Sequence, residues 1–430
     1  MVNPDKNPVR KAIFVRTIKV RYVRTIANFP ADGQLEFDMS ATQQNNPNHT
    51  LAHLPFAGLT VVEISTSVAA PFAGHIFSEL GARLVKVEKS TGDDARGWGP
   101  PFWEGASAYF QALNRNKLSV VCDLRSADDL QALTDFIVVE ADVVIQNLRP
   151  GQVEKLGLDG QTLTGLKPSL IYCNLGAFGK TGPLKDRPGY DPLMQAFSGI
   201  MSTTGEPGRP AVRVGASLVD MGTGMWAVIG SLSALLKRQQ TGKGGIVDVS
   251  LFETASCWVS LIGAQVLATG EVPQRQGSGA SGIVPYRGYM TQDGEVVIAA
   301  GSDKLFGLLA TVLGHPEWIT DPRFVDNPSR VNNQKELYGM IEALVARHST
   351  EYWIETLEKA GIPCSPVNNV LQMLEHPQTQ ALGLVQDVPG TQMKFLGLPL
   401  SFDGVRPKPL AAPPKLGEHS DILKEGRQAS

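Results

Sequence analysis

Residues 56–89 read FAGLTVVEISTSVAAPFAGHIFSELGARLVKVEK, and the order of residue types along them decides the fold. The apolar, β-branched run from Phe56 to Ile64 predicts a short strand, the small residues from about Pro71 to Gly81 a helix, and Arg83 to Glu88 a second strand. A strand, a helix and a strand joined this tightly form a βαβ unit, and the strands are apolar enough to be covered on both faces, as in a parallel sheet. The alternation continues through strand Leu118–Asp123, helix Asp128–Glu140, strand Asp142–Gln146, short helices over 150–167 and strand Ser169–Leu175. This period predicts an α/β chain with a Rossmann-like, doubly wound parallel sheet. The residues after the first strand are STSVAAP, not G-x-G-x-x-G, so a dinucleotide-binding dehydrogenase loses its main support.

Further along, VRVGASLVDMGTG (212–224) puts Asp220 at the front of a long apolar helix, about Met221 to Gln240. Two readings of Asp220 stand on the residues alone. A carboxylate there can cap the helix, worth roughly 0.5–2 kcal/mol; equally, it can be a nucleophile kept in a poorly solvated site. Gly222 and Gly224 would then let a bulky ligand approach the backbone. Strand Ile246–Ser250 and helix Phe252–Thr269 follow, then a glycine- and serine-rich stretch over 271–282 that reads as a mobile loop. From Tyr286 the pattern changes to a hairpin turning at Asp293-Gly294 and helices near 303–314, 332–348 and 350–361. The expected organisation is a large domain from 54–270 and 371–430, with a smaller α+β domain, 271–370, inserted.

Residues 1–53 stand apart. Seven basic residues against one acid over 1–27 suit either an organellar transit segment or upstream sequence preceding a true start at Met39, and 40–53 reads as disordered. A cytoplasmic location is expected, or a mitochondrial one if residues 1–38 are a transit segment. With 42% hydrophobic and 19% charged residues and a net charge of −3, nothing points to a nucleic-acid or membrane-surface partner. Cys122, Cys173, Cys257 and Cys364 have no metal-ligand spacing, so no metal site is expected. Met221 to Leu236 comes nearest to a membrane span and reads better as a packed helix.

The seven histidines leave 76–314 without one, and no G-x-S-x-G elbow is present, which argues against a hydrolase. Basic residues sit after successive strands: Lys89, Arg125, Arg149 and, one to two turns on, Lys155. Ligands of open parallel sheets bind at the strands' carboxyl ends, so four such cations suit a polyphosphate, and Asn147 with the turn at Arg149-Pro150-Gly151 would add backbone donors.

At this point the chain resembles the class III CoA-transferases, the family containing formyl-CoA transferase and the carnitine CoA-transferases, with the α-methylacyl-CoA racemases as relatives. The matching blocks are GLTVVEISTSVAAPFAG, LGARLVKVEK, GDDAR, NRNKLSV, NLRPGQVEKLGL, GYDPLMQAFSG, LVDMGTGM, TGKGGIVDVSLFE, GIPCSPV and LGEHS, from about 56 to 419. The resemblance implies that Asp220 is the family's nucleophile and that CoA contacts fall on Ser67, Val68, Lys89, Arg125, Asn147, Leu148, Arg149, Lys155, Gly189, Tyr190 and Asp191. It implies acyl-CoA and small carboxylic acids as substrates, no prosthetic group, and an interlocked homodimer. Gly277, Gly279 and Gly282 stand in the family's glycine-rich substrate loop. Tyr190 stands where the racemases have the histidine of a Gly-His-Asp triplet, which favours transfer over racemisation. Val68 replaces the glutamine of formyl-CoA transferase, and the loop GSGASG is not a run of four glycines; both argue against formyl-CoA and oxalate. Ile283-Val284-Pro285-Tyr286 is similar to members acting on succinate and glutarate. A far carboxylate would need a cation, and Arg213 and Arg287 are candidates for it, each with structural pairing as its other reading. The alternatives to a CoA-transferase are a racemase and a CoA-binding protein without catalysis.

Overall fold

The computed structural model describes residues 54–425, so the expectations for 1–53 lie outside the described residues. Strand β1 (Thr60–Ile64) is buried at every residue and β2 (Arg83–Glu88) at all but its first. They pair in parallel through the crossover helix α1 (Ala69–Glu79). Helix α1 begins two residues earlier than its sequence suggests, because Pro71 is accommodated in the first turn, where its missing N–H leaves no bond unmade.

The series continues with β3 (Lys117–Val121), α2 (Ala127–Glu140), β4 (Val143–Gln146) and β5 (Ile171–Gly176). After helix α3 (Asp191–Phe197) and the long helix α4 (Leu218–Thr241), β6 (Gly245–Ser250) completes the sheet. The six strands run parallel in the order β3-β2-β1-β4-β5-β6. Alternate residues face opposite layers. Val61, Leu84, Ile145 and Ile171 pack with Ala73, Phe77 and Ala227 of α1 and α4, whereas Val62, Val85, Val144 and Tyr172 pack with Leu133, Phe136 and Ile137 of α2.

By length and mean hydropathy (1.3), α4 could cross a bilayer; here it lies against α1, β5 and β6. The helix expected over Phe252–Thr269 is two, α5 (Leu251–Trp258) and α6 (Ser260–Thr269), bent by 66°. The bend falls where burial ends: Leu251, Thr254 and Ala255 are buried, and no residue of α6 is.

A separate antiparallel sheet is built from β7 (Tyr286–Met290), β8 (Glu295–Ala299) and β9 (Cys364–Pro366), in the order β9-β8-β7. Its turn is held by Asp293, whose carboxylate accepts from the Thr350 amide at 2.8 Å. Val284, Phe306, Trp318, Phe324, Ile341 and Trp353 form its core. The tail then returns to the first sheet. The Asn116 side chain accepts from the Leu410 and Ala411 amides, His419 N donates to Ser119 O, Val121 N donates to Ser420 Oγ, and Arg96 donates to the Pro414 carbonyl.

Candidate active site

The strand order reverses between β1 and β4, and ligands of doubly wound sheets bind beyond the carboxyl ends of such a pair. The turn leaving β1 there is fixed from two sides. Asn147, just after β4, accepts from Thr66 N at 3.0 Å and donates to Thr66 O at 2.8 Å. Ser67 adopts a left-handed backbone, φ +74°, which is uncommon for a non-glycine residue, and its amide donates to Asp93 Oδ1 at 3.1 Å.

Beneath the turn lies a buried charged cluster. Lys86 Nζ contacts Glu63 at 2.8 Å and Asp93 at 2.9 Å, and Lys117 Nζ contacts the other Glu63 oxygen at 2.8 Å and the Pro71 carbonyl at 2.8 Å. Burial alone would push the Glu63 carboxyl up, but Lys117 and Lys86 hold it below its ordinary value. Burial pulls Lys117 down to about 8, against the opposing pull of Glu63. The sequence carried a signal for this cluster: charged residues within three buried strands, Glu63 in TVVEI, Lys86 in RLVKVE and Lys117 in KLSVV. Buried charges occur where they pair.

Above the cluster opens a cavity of about 380 Å³ whose walls include Ser65, Thr66, Lys89, Asp93, Arg125 and Leu148. Lys89 and Arg125 sit on its rim in exposed pairs with Asp94 (2.6 Å) and Asp123 (2.9 Å). Exposed pairs of this kind contribute little, so either cation can be exchanged toward an anionic ligand. Leu148 also borders a second cavity, about 370 Å³, with Asn174, Lys180, Lys185, Asp248 and Glu253. Arg149 and Lys155 are exposed and line neither cavity. Val68 is the N-cap residue of α1. The Asn147 side-chain amide is engaged by Thr66, and its backbone N–H donates to Ile64 O at 3.4 Å.

Asp220 lies in the first turn of α4. The cap expected of it belongs instead to Asp191, whose Oδ2 accepts from the Val219 and Asp220 amides at 2.8 and 3.2 Å. Gln195 donates to Asp191 Oδ1 and accepts from Val214 N at 2.9 Å, so one buried pair organises the helix start and the segment leading into it. Asp191 is 3% exposed, and both of its oxygens are engaged in this duty. Among the described residues, the Asp220 carboxylate accepts no hydrogen bond. Burial, and then the neighbouring Asp191 charge, raise it from 3.8 to about 7. Sequence reasoning gave Gln195 no role; its spacing of four from Asp191 on one helix face was the available signal.

Gly222 and Gly224 serve packing rather than ligand approach. A Cβ on Gly224 would stand 2.6 Å from the Ala69 carbonyl oxygen, and one on Gly222 2.8 Å from the Trp258 ring. Asp220 is one turn before Gly224 on the same helix face, and it lines neither of the two cavities. Gly189 is closed in by Met194 and Ala177, and Tyr190 is the exposed N-cap residue of α3. His75 is buried in α1 and kept neutral by that burial and by Arg115 and Lys117.

The glycine-rich loop folds on its own surroundings. Gly277 N donates to Gly205 O at 3.0 Å, Gly279 N to Gln276 O at 2.9 Å, and Asn327 holds the Gly282 carbonyl at 2.9 Å. None of these bonds reaches the first turn of α4. Among the described residues, no three His, Cys, Asp or Glu side chains are grouped to hold a metal ion.

Comparison with known proteins agrees with this geometry. The family profile described as CoA-transferase family III matches residues 56–420. The chain is 37% identical to acetyl-CoA:oxalate CoA-transferase of Acetobacter aceti, covering 86% of this chain and 95% of that protein. It is 33% identical to succinyl-CoA:glutarate CoA-transferase of Mus musculus, covering 86% of each. The crystal structure of a CaiB/BaiF family protein from Brucella suis superposes with a TM-score of 0.79 at 38% identity, over 86% of this chain and 99% of that one. The chain therefore belongs to CoA-transferase family III and is an enzyme of that class.

Proposed function

We propose that the enzyme moves CoA from an acyl-CoA donor such as succinyl-CoA to a carboxylic acid, a dicarboxylate foremost, through covalent intermediates on Asp220. The observation that carries this reading is a carboxylate in the first turn of a long helix, relieved of capping by Asp191 and left without a hydrogen-bond partner among the described residues. Asp220 attacks the thioester carbonyl of the donor and the C–S bond breaks, giving a mixed anhydride and CoA thiolate. The thiolate attacks the aspartyl carbonyl, releasing the donor's carboxylate and leaving an aspartyl thioester of CoA. The acceptor carboxylate displaces the thiolate from that thioester, and the thiolate then attacks the new acyl group, forming the product acyl-CoA and restoring Asp220. Each exchange trades one activated acyl group for another, so no external energy source is needed.

The cavity with Lys89 and Arg125 on its rim suits the phosphates of CoA. The 277–282 loop is the candidate lid over the intermediate. Its Gly277 and Gly279 amides are engaged within the loop, so it must rearrange to offer them to an oxyanion. The dicarboxylate preference draws on the relatives' named substrates, oxalate and glutarate. A homodimer is supported by the large apolar residues left exposed on α4, α5 and α6, among them Trp226, Ile229, Trp258 and Leu267. Tyr190 in place of an exchangeable histidine disfavours racemisation, and Asp191 as cap removes the structural duty that a non-catalytic Asp220 would need.

The test is to incubate the enzyme with succinyl-CoA and search by mass spectrometry for CoA on the peptide carrying Asp220. The adduct is expected in the wild type and absent from Asp220→Asn. Transfer without any adduct, or normal turnover by the variant, overturns the assignment. Deuterium exchange at the α-carbon of a branched acyl-CoA, without transfer, would instead favour the racemase.

A further inference from the structure

We propose that Arg213 receives the far carboxylate of a dicarboxylate substrate while its near carboxyl group reacts at Asp220. The inference rests on the transferase reading above and adds the residue that sets chain-end specificity. A dicarboxylate enters the site with a second charge that must be matched as water is excluded, since an unpaired carboxylate is costly to desolvate. The structure separates the two arginines that the sequence left as equals. The Arg287 guanidinium is stacked on the rings of Tyr289 (5.6 Å) and Tyr338 (5.0 Å), and its Nε donates to the Gly288 carbonyl at 3.0 Å. It is held by the small sheet.

Arg213 is exposed and, among the described residues, makes only long contacts, 3.4 and 3.3 Å, to the carbonyls of Val214 and Gly215. Those contacts lay the guanidinium along the segment that leads into α4. The next residue, Val214, is tied through Gln195 and Asp191 to the Asp220 amide, so two side chains separate its backbone from that of the nucleophile. Between 207 and 219 the chain carries no acid that would claim the arginine. Nearby Arg275 donates to the carbonyls of Glu206 and Arg209, and Lys185 pairs with Asp186 at 3.5 Å. Arg213 thus combines a forked donor set that no carboxylate claims with a neighbour, Val214, tied through Gln195 and Asp191 to the first turn of α4.

The experiment compares acceptors of equal length, glutarate and pentanoate, with succinyl-CoA as donor, in the wild type, Arg213→Gln and Arg213→Lys. The readout is the ratio of kcat/KM for glutarate to that for pentanoate. Arg213→Gln is expected to lower this ratio about tenfold or more, mainly through the glutarate KM, as befits loss of a charge-assisted pair. Arg213→Lys, which keeps the charge but loses the fork, is expected to recover part of it. A ratio changed less than twofold in Arg213→Gln overturns the proposal, as does a wild type that prefers pentanoate. A wild type that forms no new thioester with either acceptor and no CoA adduct on Asp220 instead fails the transferase reading itself, and Arg213 falls with it.

Discussion

Replacing Asp220 by asparagine should destroy transfer and yet make the protein more stable. The carboxyl is raised from 3.8 to about 7 by burial and by the Asp191 charge. At about 1.36 kcal/mol per pH unit, holding it ionised at pH 8 costs the folded state about 4 kcal/mol as an upper bound. Water at the open side of the carboxyl and the positive end of the α4 dipole reduce this to about 2 kcal/mol. The sign follows from linkage. Below about pH 4 the group is protonated in both folded and unfolded chains and the variant gains nothing. Between 4 and 7 only the unfolded chain releases the proton, so the wild type loses ground steadily, and above 7 the difference stays constant. With an unfolding entropy of roughly 2.1 cal/mol/K per residue, the variant should melt about 2–3 °C higher at pH 8 and at nearly the same temperature at pH 4. Paired calorimetric scans across that range measure it. A variant less stable than the wild type at pH 8, or an offset independent of pH, would show that the ionised carboxylate stabilises its helix and refute the account of a strained nucleophile.

Asp191→Asn keeps an acceptor at the α4 N-terminus but removes the neighbouring charge, so the acid limb of the kcat/KM profile, expected near pH 7, should move to lower pH; a limb that stays or rises counts against the coupling. Lys86→Met leaves buried Asp93 without its cation and Glu63 with Lys117 alone, and denaturant unfolding should lose about 3–5 kcal/mol; a loss under about 1 kcal/mol would mean that the cluster is relaxed elsewhere. Gly224→Ala drives a Cβ to 2.6 Å from the Ala69 carbonyl, a backbone atom with nowhere to go, and should cost about 1–3 kcal/mol in the same assay, with neutrality as the refuting result. In thiol labelling of the native protein, exposed Cys257 should react first, because burial pushes Cys122 and Cys173 up to about 12; faster modification of either buried thiol would contradict that packing.

Much of the fold was legible in order because its strands are short, largely apolar runs that alternate with helical stretches. The strand Arg83–Glu88 and the hairpin around Asp293-Gly294 stand where their residues put them. Boundaries moved where tertiary contacts outweighed local preference. Helix α4 begins at Leu218 because a carboxylate 28 residues away in sequence caps it, and α5 breaks from α6 where the supporting surface ends. Asp220 was readable as a conspicuous charge ahead of an apolar run, but its freedom from capping was not, since that depends on Asp191 and Gln195 arriving from another helix. Likewise, Asn147 was readable as a polar residue after a strand, while what it holds, the backbone of Thr66, and the hold of Lys86-paired Asp93 on the Ser67 amide became visible only in three dimensions.

The return of residues 410–420 to strand β3 bears on how the enzyme can be made. A nascent chain emerging from the ribosome can lay down β1, α1 and β2 early, but the outer margin of that sheet waits for Ser420, 299 residues after its partner Val121. Release of a prematurely terminated polypeptide would therefore leave the oldest part of the molecule unfinished, and quality control acting on such products would meet an open sheet flank rather than a merely shortened tail.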